Sequence, residues 1–115
     1  MPINSRNKGA VGERELAGVL RDYGFEARRG QQFAGGGDSP DVKSNVPGIH
    51  IECKRVEAGN LYNWLAQATR DAAPGKTPVV MHRRNNKEWV AILPLTDYLM
   101  LMQRLESMNE APDED

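Results

Sequence analysis

The sequence contains one cysteine, Cys53, and no long run of apolar residues. A single cysteine cannot form an internal disulfide or a cysteine zinc site, which agrees with a reducing compartment and leaves Cys53 as a small core hydrophobe. No stretch approaches the roughly 20 apolar residues of a membrane-spanning helix. Residues 1–8 also lack the apolar region of a signal peptide. The sequence therefore predicts a cytoplasmic protein without a membrane partner.

The chain also lacks a large excess of either charge, since 15 basic and 16 acidic residues leave a net charge of −1. This balance argues at first against nucleic acid, for which a basic domain is the usual expectation. However, four acidic residues lie in segment 110–115, and the rest of the chain carries a net charge of +3. We expect 110–115 to be a disordered acidic tail and 1–109 to form a single domain.

The spacing of apolar residues and turn formers predicts helices and strands in a definite order. The predicted elements are a helix over 9–23, strands over 25–29, at Asp41 and over 49–54, a helix over 60–73, strands over 78–82 and 88–93, and a helix from Thr96 to 108. This order, α-β-β-β-α-β-β-α, describes an α/β fold with a small mixed β-sheet flanked by helices. A stripe in the last helix is predicted to face the core, with a dimer contact as the alternative: Leu99, Met102, Leu105 and Met108.

The most informative strings are Pro40-Asp41 and Glu52-Cys53-Lys54. Apolar and polar residues alternate over 48–55, so His50, Glu52 and Lys54 are predicted to share the strand face opposite the core. A carboxylate on that face can hold a divalent cation, while the ammonium group of Lys54 meets an anion beside it. The alternative is a solvated strand face with a weak surface pair.

Turn-forming residues over 43–48 allow the strand at Asp41 to fold back beside the strand of Glu52. The two carboxylates would then approach each other. Phosphodiester hydrolysis requires an activated water and stabilisation of charge on the attacking and leaving oxygens. Mg²⁺ suits this task and is held by one or two carboxylates with water and substrate phosphate. Asp41 and Glu52 are the carboxylates that we assign, although Asp41 as a simple turn residue remains the alternative.

These strings resemble the PD-(D/E)XK nuclease superfamily, and most of the chain resembles its small Holliday-junction-resolvase-like endonucleases of archaeal and phage type. The segment 8–16 is similar to the first helix of such enzymes, which carries an acidic residue directed at the metals, and Glu13 is the matching position. Gln67 matches a glutamine that related nucleases place near the active site. A single glutamine in a helix is also compatible with a structural role.

The resemblance implies a restriction-endonuclease-like core and Mg²⁺-dependent cleavage of DNA, with Mn²⁺ as a substitute. It implies metal ligands at Asp41, Glu52, Glu13 and the backbone carbonyl of Cys53. The predicted catalytic residues are Glu13, Asp41, Glu52, Lys54 and Gln67. Lys54 would orient or activate the water, or stabilise the charge that develops on the phosphate. The implied setting is the cytoplasm of a bacterial or archaeal host, with phage encoding as one origin.

Basic residues around the predicted site are candidate phosphate contacts, although a generally charged surface is the alternative. The predicted substrate-binding residues are Lys8, Arg14, Arg28, Arg29, Lys43, Arg55 and Tyr62. Tyr62 is the aromatic candidate because Trp64 and Trp89 fall on apolar faces. Asp38 is a second candidate acid or a turn residue, and the role of His50 stays open.

Three functions fit these residues. The first is a Holliday-junction resolvase-like endonuclease that acts on branched DNA as a homodimer, because paired nicks need two active sites. The second has the same chemistry but acts on flaps, duplex or single-stranded DNA. The third is a non-catalytic DNA-binding module, against which the intact Asp41, Glu52 and Lys54 argue.

Overall fold

A computed structural model describes residues 5–30 and 41–110, and the side chains of residues 9–30 and 41–110. Its elements are α1 (Ser5–Asp22), β1 (Ala27–Arg29), β2 (Val42–Ser44), β3 (Ile49–Arg55), α2 (Leu61–Asp71), β4 (Thr77–Arg83), β5 (Val90–Ile92) and α3 (Leu95–Asn109). The predicted α/β class and the order of elements are confirmed. Asp38, Pro40 and residues 111–115 of the predicted tail lie outside the described residues.

The strands form two small sheets that meet beside β3. In one sheet β1 pairs with β2 antiparallel, and in the other β4 lies between β3 and β5. β3 and β4 are parallel, which requires the crossover that α2 provides, whereas β4 and β5 are antiparallel. The amide of Asp41 donates to the carbonyl of Ile51 over 3.1 Å. This bond brings the start of β2 beside the middle of β3.

The core lies between α1 and the strands. Leu16 and Ala17 of α1 pack with Val42 of β2 and Ile51 of β3, and each of these four side chains is buried. Cys53 is half-buried against the same cluster. Since side chains alternate along a strand, the residues between these core positions point to the opposite face of β3, on the side where α2 packs. The alternation predicted over 48–55 is therefore confirmed.

Two glycines allow close approaches that fix the helices. A Cβ atom on Gly12 of α1 would lie 2.4 Å from the Cβ of Arg55, and one on Gly59 would lie 2.2 Å from the Trp64 ring. Trp64 packs against His82, with ring centroids 4.9 Å apart. The predicted cap of α2 is confirmed, because the Asn60 side chain accepts from the amide of Asn63 over 3.1 Å.

The last helix departs from its prediction. α3 begins at Leu95 after Pro94, so Thr96 is not its cap. Its predicted core-facing stripe is wrong: Leu99, Met102, Leu105 and Met108 are between 39% and 80% exposed. The reason is that the core forms between α1 and the strands while α2 packs on β4 and β3, and no residue of α3 is buried. Among the described residues, none of the helices combines the length and apolarity needed to cross a membrane.

Candidate active site

Asp41 lies at the point where the two sheets meet. Its Oδ2 accepts a hydrogen bond from the amide of Cys53 over 2.9 Å, and its carboxyl group also contacts that of Glu52. Burial, reinforced by the charge of Glu52, raises the pKa of Asp41 to about 7. The predicted approach of the two carboxylates is thus present in the structure, and their proximity is electrostatically unfavourable without a compensating charge.

Glu52 is buried in the middle of β3 beside His50, and each is only 3% exposed. His50 Nε2 lies 3.2 Å from Glu52 Oε1. Burial alone would raise the pKa of Glu52, but hydrogen bonds with His50 and Asp41 and the charges of His50 and Lys54 lower it below its usual value. Glu52 is therefore held as a carboxylate next to Asp41.

Lys54 and Gln67 bring β3 and α2 together at the site. Lys54 Nζ donates to Gln67 Oε1 over 3.3 Å, and the two side chains are partly buried. Lys54 shares the strand face of Glu52, two residues away, as the sequence predicts. This contact places Gln67 at the candidate site. The helix that carries Gln67 begins at its cap, Asn60, and this start sets the position of α2 over β3.

Glu13 lies on α1. It is 7% exposed, and its Oε1 accepts from Arg29 Nε over 2.8 Å. Its charge contributes to the raised pKa of Asp41, although less than burial and Glu52 do. The structure thus places Glu13 near Asp41 electrostatically, in an ion pair that the sequence did not indicate.

The donor set fits a metal ion that takes most of its ligands from outside the protein. Within residues 9–30 and 41–110, no group of three or more His, Cys, Asp or Glu residues converges as a metal site. The two adjacent carboxylates of the site are those of Asp41 and Glu52. The amide and carbonyl of one strand residue point to the same edge, so the carbonyl of Cys53 faces Asp41 together with its amide. Oxygen donors with open positions suit Mg²⁺, which keeps several waters.

The predicted substrate-binding residues fall into two groups. Arg14, Arg28, Lys43 and Tyr62 are exposed. By contrast, Arg29 pairs with Glu13, and Arg55 lies among Glu15, Glu57 and Asn85. Lys8 lies in α1, but its side chain falls outside the described residues.

His50 is the one residue at the site whose role the sequence did not settle. Its position two residues before Glu52, on the same strand face, was the available signal. The hydrogen bond with Glu52 depends on the side-chain conformations of both residues, which the alternation does not specify.

A mixed α/β core with Asp41, Glu52 and Lys54 gathered where β2 meets β3 is the arrangement expected of a PD-(D/E)XK nuclease. The sequence profile of one family, described as "Phage putative PDDEXK endonuclease", matches residues 4–111. The chain belongs to this phage endonuclease family, and its resemblance to PD-(D/E)XK nucleases of phage type is confirmed. A search of curated proteins found no match. The family assignment makes the protein a nuclease, with DNA as the implied substrate, and nucleases of this class generally use divalent metal ions.

Proposed function

We propose that the protein is an Mg²⁺-dependent endodeoxyribonuclease that cuts branched DNA in the manner of a Holliday-junction resolvase. The observation that carries the chemistry is the contact between two carboxylates, the partly buried Asp41 and the buried Glu52, with the ammonium group of Lys54 on the same face. Burying two like charges together is costly unless a cation joins them. The arrangement is explained if these groups hold a metal ion next to a phosphate.

Each residue of the site has a chemical role in this proposal. A divalent metal ion bound here would supply Lewis-acid stabilisation of the phosphate and lower the pKa of a bound water. Asp41, Glu52 and the carbonyl of Cys53 would hold the ion. Glu13 is the further proposed ligand, although its carboxylate is engaged by Arg29. His50 would keep the Glu52 carboxylate in one orientation through their hydrogen bond.

Lys54 and Gln67 act on the other side of the reacting phosphate in this proposal. The Gln67 side chain accepts from Lys54 Nζ and thereby restrains a long, flexible side chain. A restrained ammonium group can orient the attacking water or meet the negative charge that develops on the phosphate oxygens. Gln67 is thus proposed as a positioning residue for Lys54.

Paired nicks in a four-way junction require two active sites, and α3 offers a surface for a second copy of the chain. Leu95, Tyr98, Met102 and Leu105 follow helical spacing along α3 and are between 39% and 70% exposed. A 15-residue helix without burial is only marginally stable in water, so pairing of two such helices would stabilise both. We propose a symmetric homodimer joined through α3, working in the cytoplasm of a bacterial or archaeal host.

The experiment that tests the chemistry compares labelled four-way junction, flap, duplex and single-stranded DNA in Mg²⁺, Mn²⁺ or EDTA. We expect paired nicks in the junction that need metal. Asp41→Asn should lower the cleavage rate by on the order of 100-fold or more, since metal ligation contributes several kcal/mol of transition-state stabilisation. DNA binding by this variant should be equal or tighter, because a negative charge near the phosphate is lost.

Asp22→Asn is the matched control, because Asp22 is an exposed residue at the end of α1 and carries the same charge. It should cut like the wild type. Metal-dependent cleavage of a different DNA form would support the proposed site residues and replace the proposed substrate. Loss of binding together with cleavage in Asp41→Asn, or no cutting of any DNA by the wild type, would contradict the proposal.

A further inference from the structure

Two basic residues lie directly opposite each other on the β1–β2 hairpin. The strand register pairs Arg28 with Lys43, and both side chains are exposed. Like charges at directly opposed positions of an antiparallel pair are destabilising. Within the described part of the chain, neither residue forms an ion pair that would offset this repulsion. The two charges are therefore not offset by an ion pair, and the pair has the charge to hold an anion.

The pair lies on the same face of the strands as the catalytic carboxylates. Val42 points into the core toward α1, so its neighbours Asp41 and Lys43 point to the other face, which is also the face of Glu52. Arg28 shares that face, since directly opposed residues of paired strands project on the same side. The exposure of Arg28 and Lys43 shows that this part of the face is open to a ligand.

The spacing along the strand is on the scale of one or two nucleotides of a DNA strand. Asp41 and Lys43 are two residues apart, which corresponds to about 7 Å in a strand. One strand of DNA carries a phosphate about every 3.4 Å along the helix axis. A backbone that enters the site at Asp41 would thus bring a phosphate one or two nucleotides away to the Arg28–Lys43 pair.

Other basic residues nearby are already engaged. Arg29 pairs with Glu13, and Arg21 donates to the carbonyl of Ala27 over 2.7 Å. Beside the hairpin is an open cavity of about 500 Å³, lined by Arg28 and Lys43 together with Arg21 and Glu26. A single acidic group among three basic ones leaves the cavity positive, which favours a phosphodiester over a cationic or apolar ligand.

We propose that Arg28 and Lys43 form a phosphate subsite that grips the DNA backbone one or two nucleotides from the phosphate that is cut. This inference rests on the proposed nuclease function and assigns to these two residues a defined phosphate rather than a general attraction for DNA. The subsite would set the direction in which the strand passes through the active site.

The test uses DNA in which one phosphate at a time is replaced by a neutral methylphosphonate. The cut position is first mapped with the wild type, and binding is then measured in the Asp41→Asn background, which does not cut. We expect one substitution, within two nucleotides of the cut, to weaken binding about 10-fold. Adding both Arg28→Ala and Lys43→Ala to the Asp41→Asn variant should weaken binding to unmodified DNA. In that protein a methylphosphonate at the same position should no longer weaken binding. The two added substitutions should also reduce the slope of log K against log salt by about 0.9, the contribution of the one phosphate that the pair contacts.

The control pair is Lys76→Ala with Arg104→Ala, which removes the same charge from exposed positions before β4 and on α3. It should leave the methylphosphonate profile unchanged. The melting temperature of the Arg28→Ala and Lys43→Ala protein should equal or exceed that of the parent, because a repulsion is removed. An unchanged profile in this protein, or an equal loss at every position as in a general charge effect, would overturn the subsite. Wild type that neither binds nor cuts DNA would instead overturn the proposed function, and the subsite with it.

Discussion

At the scale of single residues, the candidate active site brings together groups that oppose each other's ionisation. Asp41 and Glu52 are in contact, and their environments move their pKa values in opposite directions. His50 and Lys54 stabilise the charged form of Glu52, whereas burial and Glu52 itself oppose ionisation of Asp41. The protein without metal therefore favours a proton on Asp41 at a pH where Glu52 is ionised.

This conflict predicts a dependence of stability on pH in metal-free buffer. Asp41 has a pKa of about 7 in the folded protein and an ordinary value of 3.8. Because the folded value is the higher, the folded state binds the proton more tightly. The resulting stabilisation is present at low pH and is lost as pH rises through 7. With EDTA present, the melting temperature should be higher at pH 5.5 than at pH 8.

Asp41→Asn should flatten this dependence, since its amide does not titrate, and thermal melts across the pH range give the comparison. The lowered pKa of Glu52 has the opposite sign but acts only below its ordinary value of 4.5, outside this range. A melting temperature that rises between pH 5.5 and 8 in the wild type would contradict the assignment of the proton to Asp41.

At the scale of elements, the position of α1 depends on a glycine. Gly12 is buried, and a Cβ there would lie 2.4 Å from the Cβ of Arg55 on β3, whereas a Cβ on Gly9 of the same helix would have no neighbour within 4 Å. Gly9 is therefore the matched control position for a substitution at Gly12. The adjacent Glu13 and Glu15 link α1 to Arg29, Arg55 and Arg83.

Gly12→Ala should destabilise the protein by about 1–3 kcal/mol, because overpacking forces α1 and β3 apart. Gly9→Ala should instead stabilise it by about 0.5–1 kcal/mol, the usual gain from removing a helical glycine. Urea unfolding measures both changes. Equal stabilisation by the two substitutions would show that α1 does not approach β3 this closely.

Local patterns account for most of what the sequence predicted at this scale. The alternation over 48–55 depends on one strand with one buried face, and it placed Glu52 and Lys54 correctly on the other face. The start of α2 followed from Asn60, whose capping bond is local. In contrast, the stripe of α3 resembles a core-facing stripe, and only the packing of the other elements decides that it stays exposed. The pairing of Glu13 with Arg29 likewise depends on how α1 and β1 come together.

At the scale of the whole molecule, α3 is the element with the least support from the rest of the chain. If it pairs with α3 of a second copy, Leu105→Glu should place charge in an apolar contact and convert the dimer to monomer. Gln103→Glu adds the same charge to an exposed polar position of the same helix and should leave the dimer intact. Light scattering after size exclusion gives the molar mass of each. A wild-type monomer at micromolar concentration would contradict pairing through α3.

The meeting point of the two sheets couples the proposed metal binding to the pairing of the strands. Asp41 joins β2 to β3 through two hydrogen bonds, one from its own amide and one to its carboxylate. The residue proposed to bind metal therefore also holds the two sheets together. Opening of the short β1–β2 hairpin would separate Asp41 from Glu52 while β3, β4 and β5 stay paired. Metal binding and the contact between the two sheets are then thermodynamically linked. The hairpin's amides should exchange with solvent faster in the apo form than in the metal-bound form, while those of β4 remain unchanged.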